Sequence, residues 1–263
     1  MLRVENLQVI YNEIIFAVKG VSINVPLGQI VSILGPNGAG KTSIIRAIGG
    51  ILKSQEGEIT EGSIYFEGNK INDLFSSGIA RIGIHIIPEG GGLFDDLTVM
   101  EHLRLAKFQF KSDKTQNTYN NIFTWFPSLR KNQNTRAGYI SGGERQMLAL
   151  SVAVLSYPKL LVMDEPSMGL APKIIKEIYN FIKMLNTKDG ITILLVEQNA
   201  NIALNVSNYG YIIENGRIVL DGPSQNLLKD RQVSEFYLGM GKNMERRSYR
   251  DIKHYKSRKR WLS

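Results

Sequence analysis

One octapeptide constrains this chain more than any other stretch: Gly35-Pro36-Asn37-Gly38-Ala39-Gly40-Lys41-Thr42. It fits G-x-x-x-x-G-K-[ST], and it stands where that pattern has a mechanism. The apolar run Ile30–Leu34 before it reads as a strand, and Thr42–Leu52 after it has helical spacing. Glycines let backbone N–H groups turn inward around phosphate oxygens, and the following helix points its partial positive charge at them. Lys41 then reaches the β- and γ-phosphates, and the Thr42 hydroxyl is offered to Mg²⁺. A glycine-rich turn without a ligand is the alternative, and the strand–helix context argues against it. The chain is expected to hold a nucleotide along Gly35–Ser43, with Mg²⁺; kinases, GTPases and motors share this loop, so it does not by itself name a reaction.

Around this loop strand and helix patterns alternate. The N-terminal part reads as antiparallel strands, Leu2–Val9 and Val21–Val25, with further strands at Ser63–Phe66 and Arg81–Ile87. From Thr98 to about Arg130 the spacing is helical, interrupted by the polar stretch Lys111–Asn121, which reads as a surface connection. A helix from Ser141 to Leu155 precedes a strand at Leu160–Met163, then come helix Pro172–Leu185 and strand Ile191–Val196. Tyr209–Ile213 and Arg217–Leu220 read as a hairpin around Asn215-Gly216. This order predicts an α/β fold with a parallel core, an antiparallel N-terminal layer and an inserted helical segment.

Composition narrows the setting. At 263 residues the chain suits one large α/β domain, and no apolar run approaches the roughly 20 residues of a bilayer span. The first residues lack the apolar segment of a signal peptide. Without Cys there are no disulfides or thiolate metal sites, which fits a reducing compartment such as cytoplasm. The net charge of +8 sits almost wholly in Lys242–Ser263, where nine Lys/Arg face only Glu245 and Asp251. The body is therefore near neutral, which weighs against a nucleic-acid partner. The basic stretch, interleaved with Tyr249, Tyr255 and Trp261, is either a solvated tail or a contact for anionic headgroups.

Two strands end in polar residues. Leu160-Leu161-Val162-Met163 delivers Asp164 and Glu165. If side chains alternate there, Asp164 holds Mg²⁺ through water while Glu165 faces an attacking water as general base. A solvated strand end is the alternative. Ile191–Val196 delivers Glu197, Gln198 and Asn199, a strand that either leaves the core or aims something at a ligand.

Ile140-Ser141-Gly142-Gly143-Glu144-Arg145-Gln146 resembles the signature motif of ABC-type ATPases, with Ile for Leu and Glu for Gln. Read alone, it is a helix N-cap with a glutamate three residues on. The resemblance runs in register from residue 1 to about 240. It implies a P-loop NTPase of the ABC type: an antiparallel β subdomain, a mixed or parallel RecA-like core and a helical subdomain over about 90–140, followed by a tail, 241–263. It also implies that Ser141, Gly142, Gly143 and Glu144 serve the γ-phosphate of ATP on a second ATPase subunit. Tyr11 matches the aromatic that stacks on adenine, although a plain strand tyrosine explains it as well. Ser167–Pro172 matches the loop that crosses the dimer interface.

Two positions depart from the usual pattern. Glu89 stands where most members carry a glutamine, and offers Mg²⁺ a hard oxygen. Gln198 stands where most carry a switch histidine, and offers the γ-phosphate a neutral donor that does not titrate near neutrality. Both departures resemble the F-type ATPase subunits of branched-chain amino-acid importers, with urea and amide importers close behind. That branch implies transmembrane permeases, a paired ATPase, an extracytoplasmic solute-binding protein and a place at the cytoplasmic face of the membrane. A soluble ABC ATPase acting on nucleic acid or ribosomes is the competing class. Such proteins usually show tandem ATPase domains, coiled-coil insertions or cysteine zinc sites. Here one P-loop stands without a heptad run or a Cys.

Overall fold

The computed structural model describes residues 1–109, 118–230 and 233. Residues 111–117 of the connection expected at Lys111–Asn121, and the basic tail at 241–263, lie outside them. Strands β1 (Leu2–Tyr11), β2 (Ile15–Val25), β4 (Gly57–Phe66) and β5 (Asn69–Lys70) form an antiparallel sheet in the order β2-β1-β4-β5. Strands β3 (Ile30–Leu34), β6 (Ile84–Ile87), β7 (Leu160–Asp164), β8 (Thr192–Glu197), β9 (Tyr209–Glu214) and β10 (Arg217–Pro223) form the second sheet, in the order β10-β9-β3-β8-β7-β6. All its pairings are parallel except the hairpin at the β10 edge. The helices are α1 (Lys41–Ile48), α2 (Ser76–Arg81), α3 (Val99–Gln109), α4 (Thr118–Trp125), α5 (Pro127–Lys131), α6 (Gly142–Leu155), α7 (Pro172–Asp189), α8 (Ala200–Leu204) and α9 (Ser224–Lys229).

The continuous apolar runs of β7 and β8 follow from burial on both faces. Along β8, Ile193 and Leu195 join a cluster with α3, α6 and α7, whereas Leu194 and Val196 join a second cluster with α1 and the antiparallel sheet. β7 does the same, with Leu161 and Met163 on the α7 side and Leu160 and Val162 on the α1 side. Every side chain in these runs therefore packs, and polar groups appear only where the strands end.

The expected helical segment is present and is anchored by backbone pairing. Thr98 and Arg136 form an antiparallel bridge, and Val99 N–H donates to Thr135 O at 3.1 Å. Arg145 adds a clamp from α6, donating to Asp95 Oδ1 and Ala137 O, both at 2.7 Å. Phe126, 1 % exposed, packs edge-on against Phe181 of α7 with centroids 4.7 Å apart, which joins this segment to the main core.

Several boundaries differ from the sequence reading. β1 and β2 run on to a turn at Asn12 and Glu13, both with positive φ. The exposed Ile14, Ile15 and Phe16 break the alternation that would have marked the extension. Arg81 is not in a strand: Ser76–Arg81 is α2, and β6 begins at Ile84. Thr118–Asn121 belongs to α4 rather than to a connection, because Ile122 and Phe123 of that helix are buried in the α3/α6 cluster.

Phe126→Ala should destabilise the fold by about 3–5 kcal/mol, the range for truncating a buried aromatic. Urea unfolding is expected to show a lowered midpoint with an unchanged slope.

Candidate active site

Parallel sheets bind ligands at the carboxyl ends of their strands. Here β3 runs into the glycine loop, β6 into Pro88-Glu89, β7 ends on Asp164 and β8 ends on Glu197. The loop is braced by the tip of the β9–β10 hairpin. Gly216 N–H donates to Ala39 O at 2.9 Å, and Gly216 O accepts from Lys19 N at 2.7 Å. Gly40 has φ +103°, and a Cβ there would lie 2.4 Å from Ala17 O, so backbone and neighbour both demand glycine. Gly35 is held as closely: its Cβ would lie 2.3 Å from Ile213 O. Pro36, Asn37 and Gly38 are exposed, while Ala39, Lys41 and Ser43 are buried.

Lys41 is 4 % exposed and spends its ammonium on three partners. Nζ donates to Gly35 O at 2.8 Å and Pro36 O at 3.2 Å, and pairs with Glu165 Oε1 at 3.0 Å. Its neighbour Thr42 hydrogen-bonds the Asp164 carboxylate through its hydroxyl. Burial pushes the Asp164 pKa up, the Thr42 bond pulls it down, and the nearby Glu165 charge raises it again. Asp164 Oδ1 is buried without a hydrogen-bond partner among the described residues.

Glu165 reaches Lys41 by a route that strand alternation does not give. β7 ends at Asp164, which lies on the α1 side with Thr42, so alternation would send the next side chain toward α7. Glu165 instead has φ +48°, a left-handed turn that brings its carboxylate back to the same helix start. The two acids are separated by a turn, not by the pleat, and the alternation argument is corrected on that point. Glu89 is exposed on the loop after β6, near enough for its charge to raise the Asp164 pKa slightly.

The three polar residues after Val196 divide their tasks. Glu197 stays on the α7 side, 1 % exposed, and its Oε1 accepts from Ser167 N–H at 3.0 Å and Tyr179 O–H at 2.5 Å. Gln198 is exposed at the strand end. Asn199 caps α8, its side chain accepting from Ile202 N–H at 3.3 Å. Burial raises the Glu197 pKa, while the Tyr179 and Ser167 bonds oppose that rise.

Ser141 and Glu144 form a reciprocal capping box on α6. The Glu144 carboxylate accepts from Ser141 N–H at 2.9 Å and from Asn132 Nδ2 at 2.7 Å, so it is committed within its own chain. Ser141 and Gly142 are exposed, whereas Gly143 packs so closely on α7 that a Cβ would lie 2.8 Å from Ile174 Cγ2. Tyr11 closes β1 half-buried, its ring against Gly57 and its hydroxyl buried without a hydrogen bond among the described residues. Lys41, Thr42, Asp164 and Glu165 thus meet directly; among the described residues, Tyr11, Gln198 and Ser141–Glu144 neither hydrogen-bond nor ion-pair with that group, and Glu89 acts on it through its charge.

The sequence reading placed Ser167 only in the loop that resembles a dimer-interface segment, and assigned no site role to Glu197 or Tyr179. The signal was available: Glu197 continues the Ile193–Leu195 face, and Tyr179 is a lone hydroxyl beside the apolar stripe Ile178, Ile182 and Leu185.

Residues 18–168 match the family model described as ABC transporter. BraG of Pseudomonas aeruginosa, a high-affinity branched-chain amino acid transport ATP-binding protein, is 41% identical over 239 residues, covering 91% of this chain and 100% of its own. The ADP conformation of MJ1267, an ATP-binding cassette of an ABC transporter, aligns with a TM-score of 0.74 at 31% identity, over 91% of this chain and 98% of that one. The dimeric structure of MJ0796, a bacterial ABC transporter cassette, aligns with a TM-score of 0.75 at 25% identity, over 85% and 99% respectively.

Because burial raises the Glu197 pKa, the fold prefers the protonated acid. That preference stabilises fully below the ordinary value of 4.5 and is lost as pH rises through the raised native pKa. Glu197→Gln, which does not titrate, should therefore gain stability relative to the parent chain as pH increases from 4.5. Melting temperatures of both across pH 4.5 to 8.5 check this; parallel curves would contradict it.

Proposed function

The chain belongs to the ABC transporter family, and we propose that it is the F-type ATPase subunit of an importer for branched-chain or related amino acids. As a member of that family it is an ATP-binding cassette. The observation that carries the hydrolytic reading is the meeting of Lys41 with Glu165, and of Thr42 with Asp164, where β7 ends beside the start of α1. Glu89 and Gln198, and the likeness to BraG, support the F-type assignment and the substrate class.

Each residue then has a task. Tyr11 stacks on adenine, and the backbone of Gly35–Ser43 cradles the phosphates. Lys41 exchanges Glu165 for phosphate oxygens. Thr42 and Asp164 would hold Mg²⁺, and Glu89 would offer it or its water a further oxygen. The orphaned, buried Asp164 Oδ1 beside a hydroxyl fits a hard cation. No group of three or more His, Cys, Asp or Glu among the described residues makes a metal cage, which fits an ion that takes its remaining ligands from phosphate and water. When bound, Mg²⁺ neutralises charge on the β- and γ-phosphates. Glu165, released from Lys41, accepts the proton of the attacking water. Gln198, exposed where β8 ends, donates its amide to the γ-phosphate.

Ser141, Gly142, Gly143 and Glu144 stand at an exposed helix N-terminus suited to an anion presented by a second cassette. The likeness to the dimeric cassette supports such a pair, either of two identical chains or of this chain with a second ATPase. No described helix is long and apolar enough to cross a membrane. The reading therefore places the chain on separate permease subunits at the cytoplasmic face, in a complex with an extracytoplasmic solute-binding protein. The cargo touches those subunits and not this one.

Glu165→Gln should bind ATP and lower hydrolysis by about 100-fold or more, the scale of a missing general base. It should also abolish uptake of labelled leucine in cells that carry the whole system. Lys41→Ala should instead weaken ATP binding by about tenfold to 100-fold, through loss of charge-assisted bonds. Normal steady-state hydrolysis by the glutamine variant would overturn the base assignment. Gln198→His should keep substantial activity and Gln198→Ala should lose most of it; a fully active alanine variant would remove Gln198 from the mechanism.

A further inference from the structure

The carboxylate of Glu197 continues a face of β8 that otherwise carries Ile193 and Leu195. Burying a carboxylate is unfavourable by several kcal/mol unless hydrogen bonds offset it, and an aliphatic side chain would fill the same space without that penalty. Its bonds reveal what it holds. Oε1 accepts from the Ser167 backbone N–H at 3.0 Å and from the Tyr179 hydroxyl at 2.5 Å. All three residues are buried. Glu165, two residues before Ser167, sits at φ +48°, a conformation unfavourable for a residue with a Cβ. Two bonds staple that turn to β8: Glu165 N–H to Val196 O at 2.9 Å, and Ser167 N–H to Glu197 Oε1. The residue that follows Glu197 is Gln198.

We propose that Glu197 is a positioning residue for hydrolysis, fixing the Glu165 turn and the Gln198 strand end in one relation. The proposal rests on reading Glu165 as the general base. What Glu197 supplies is an acceptor at a fixed point rather than a charge. A glutamine, whose carbonyl accepts the same two bonds, retains the function, and an aliphatic residue of similar size does not. Without the acceptor, the turn relaxes toward a more favourable φ and Glu165 moves away from its place opposite Lys41.

The test compares Glu197→Gln, Glu197→Leu, Tyr179→Phe and Glu165→Gln in the full-length chain, in membranes that contain the whole transporter. ATP titration and melting temperature are read beside hydrolysis. Glu197→Leu should lose about 100-fold in kcat, the scale of a displaced catalytic group, with the ATP KM changed by less than about threefold. Glu197→Gln should keep kcat within about threefold, and Tyr179→Phe should fall between the two. A glutamine variant as slow as the leucine variant overturns the proposal, as does an equal loss in KM and kcat. If Glu197→Leu does not fold, Tyr179→Phe decides, and an unchanged kcat there counts against the proposal. Full hydrolysis by Glu197→Leu beside an inactive Glu165→Gln overturns this proposal alone. Normal hydrolysis by Glu165→Gln overturns the base reading and this proposal together.

Discussion

The six-stranded sheet is covered on both faces, and this constraint governs where chemistry occurs. Leu160–Met163 and Ile193–Val196 have no side chain free to meet solvent, so a polar group on these strands must appear at an end. Parallel pairing then sends the ends of β3, β6, β7 and β8 to the same edge. A lysine six residues beyond Gly35 and an acid more than a hundred residues later become neighbours because β3 and β7 flank β8 and end at the same edge. The site is a consequence of the core rather than an addition to it.

Much of this was legible from the chain itself. The glycine loop, the apolar strand before it and the helix after it are short-range features, and their residue types state their conformations. The capping box at Ser141–Glu144 is likewise local, and the structure contains both of its reciprocal bonds. The turn at Glu165 was not legible. Glutamate has no preference for positive φ, and tertiary bonds from the turn to Val196 O and Glu197 Oε1 hold the conformation. The extension of β1 and β2 was hidden for a related reason: exposed Ile14–Phe16 carries the residue types of a core strand without being in a core. The alternation of Ile193 and Leu195 hinted that Glu197 faces inward, but its partners Ser167 and Tyr179 lie far off in the chain and are set by the packing of α7.

The helical segment illustrates how local and long-range bonds share work. Its first and last residues are tied to each other at Thr98 and Arg136, and Arg145 ties both to α6 through Asp95 and Ala137 O. Glu144, the neighbouring residue, spends its carboxylate on Ser141 and Asn132. Adjacent charges on one helix turn therefore point at different parts of the same segment. The exposed start of α6 is held in orientation from both sides, and the N–H groups of its first turn keep a fixed direction.

The Lys41–Glu165 pair makes nucleotide binding an exchange reaction. An incoming phosphate does not add an ionic contact to Lys41; it replaces one, and the number of charge pairs at the ammonium is the same before and after. The observed affinity is then a difference between two strong attractions, smaller than either. A neutral amide at position 165 weakens only the competitor. It should tighten binding at the first step while it removes the base needed at the second. Accumulation of bound ATP after that single change has two sources, one thermodynamic and one kinetic, and the association equilibrium measured without turnover separates them.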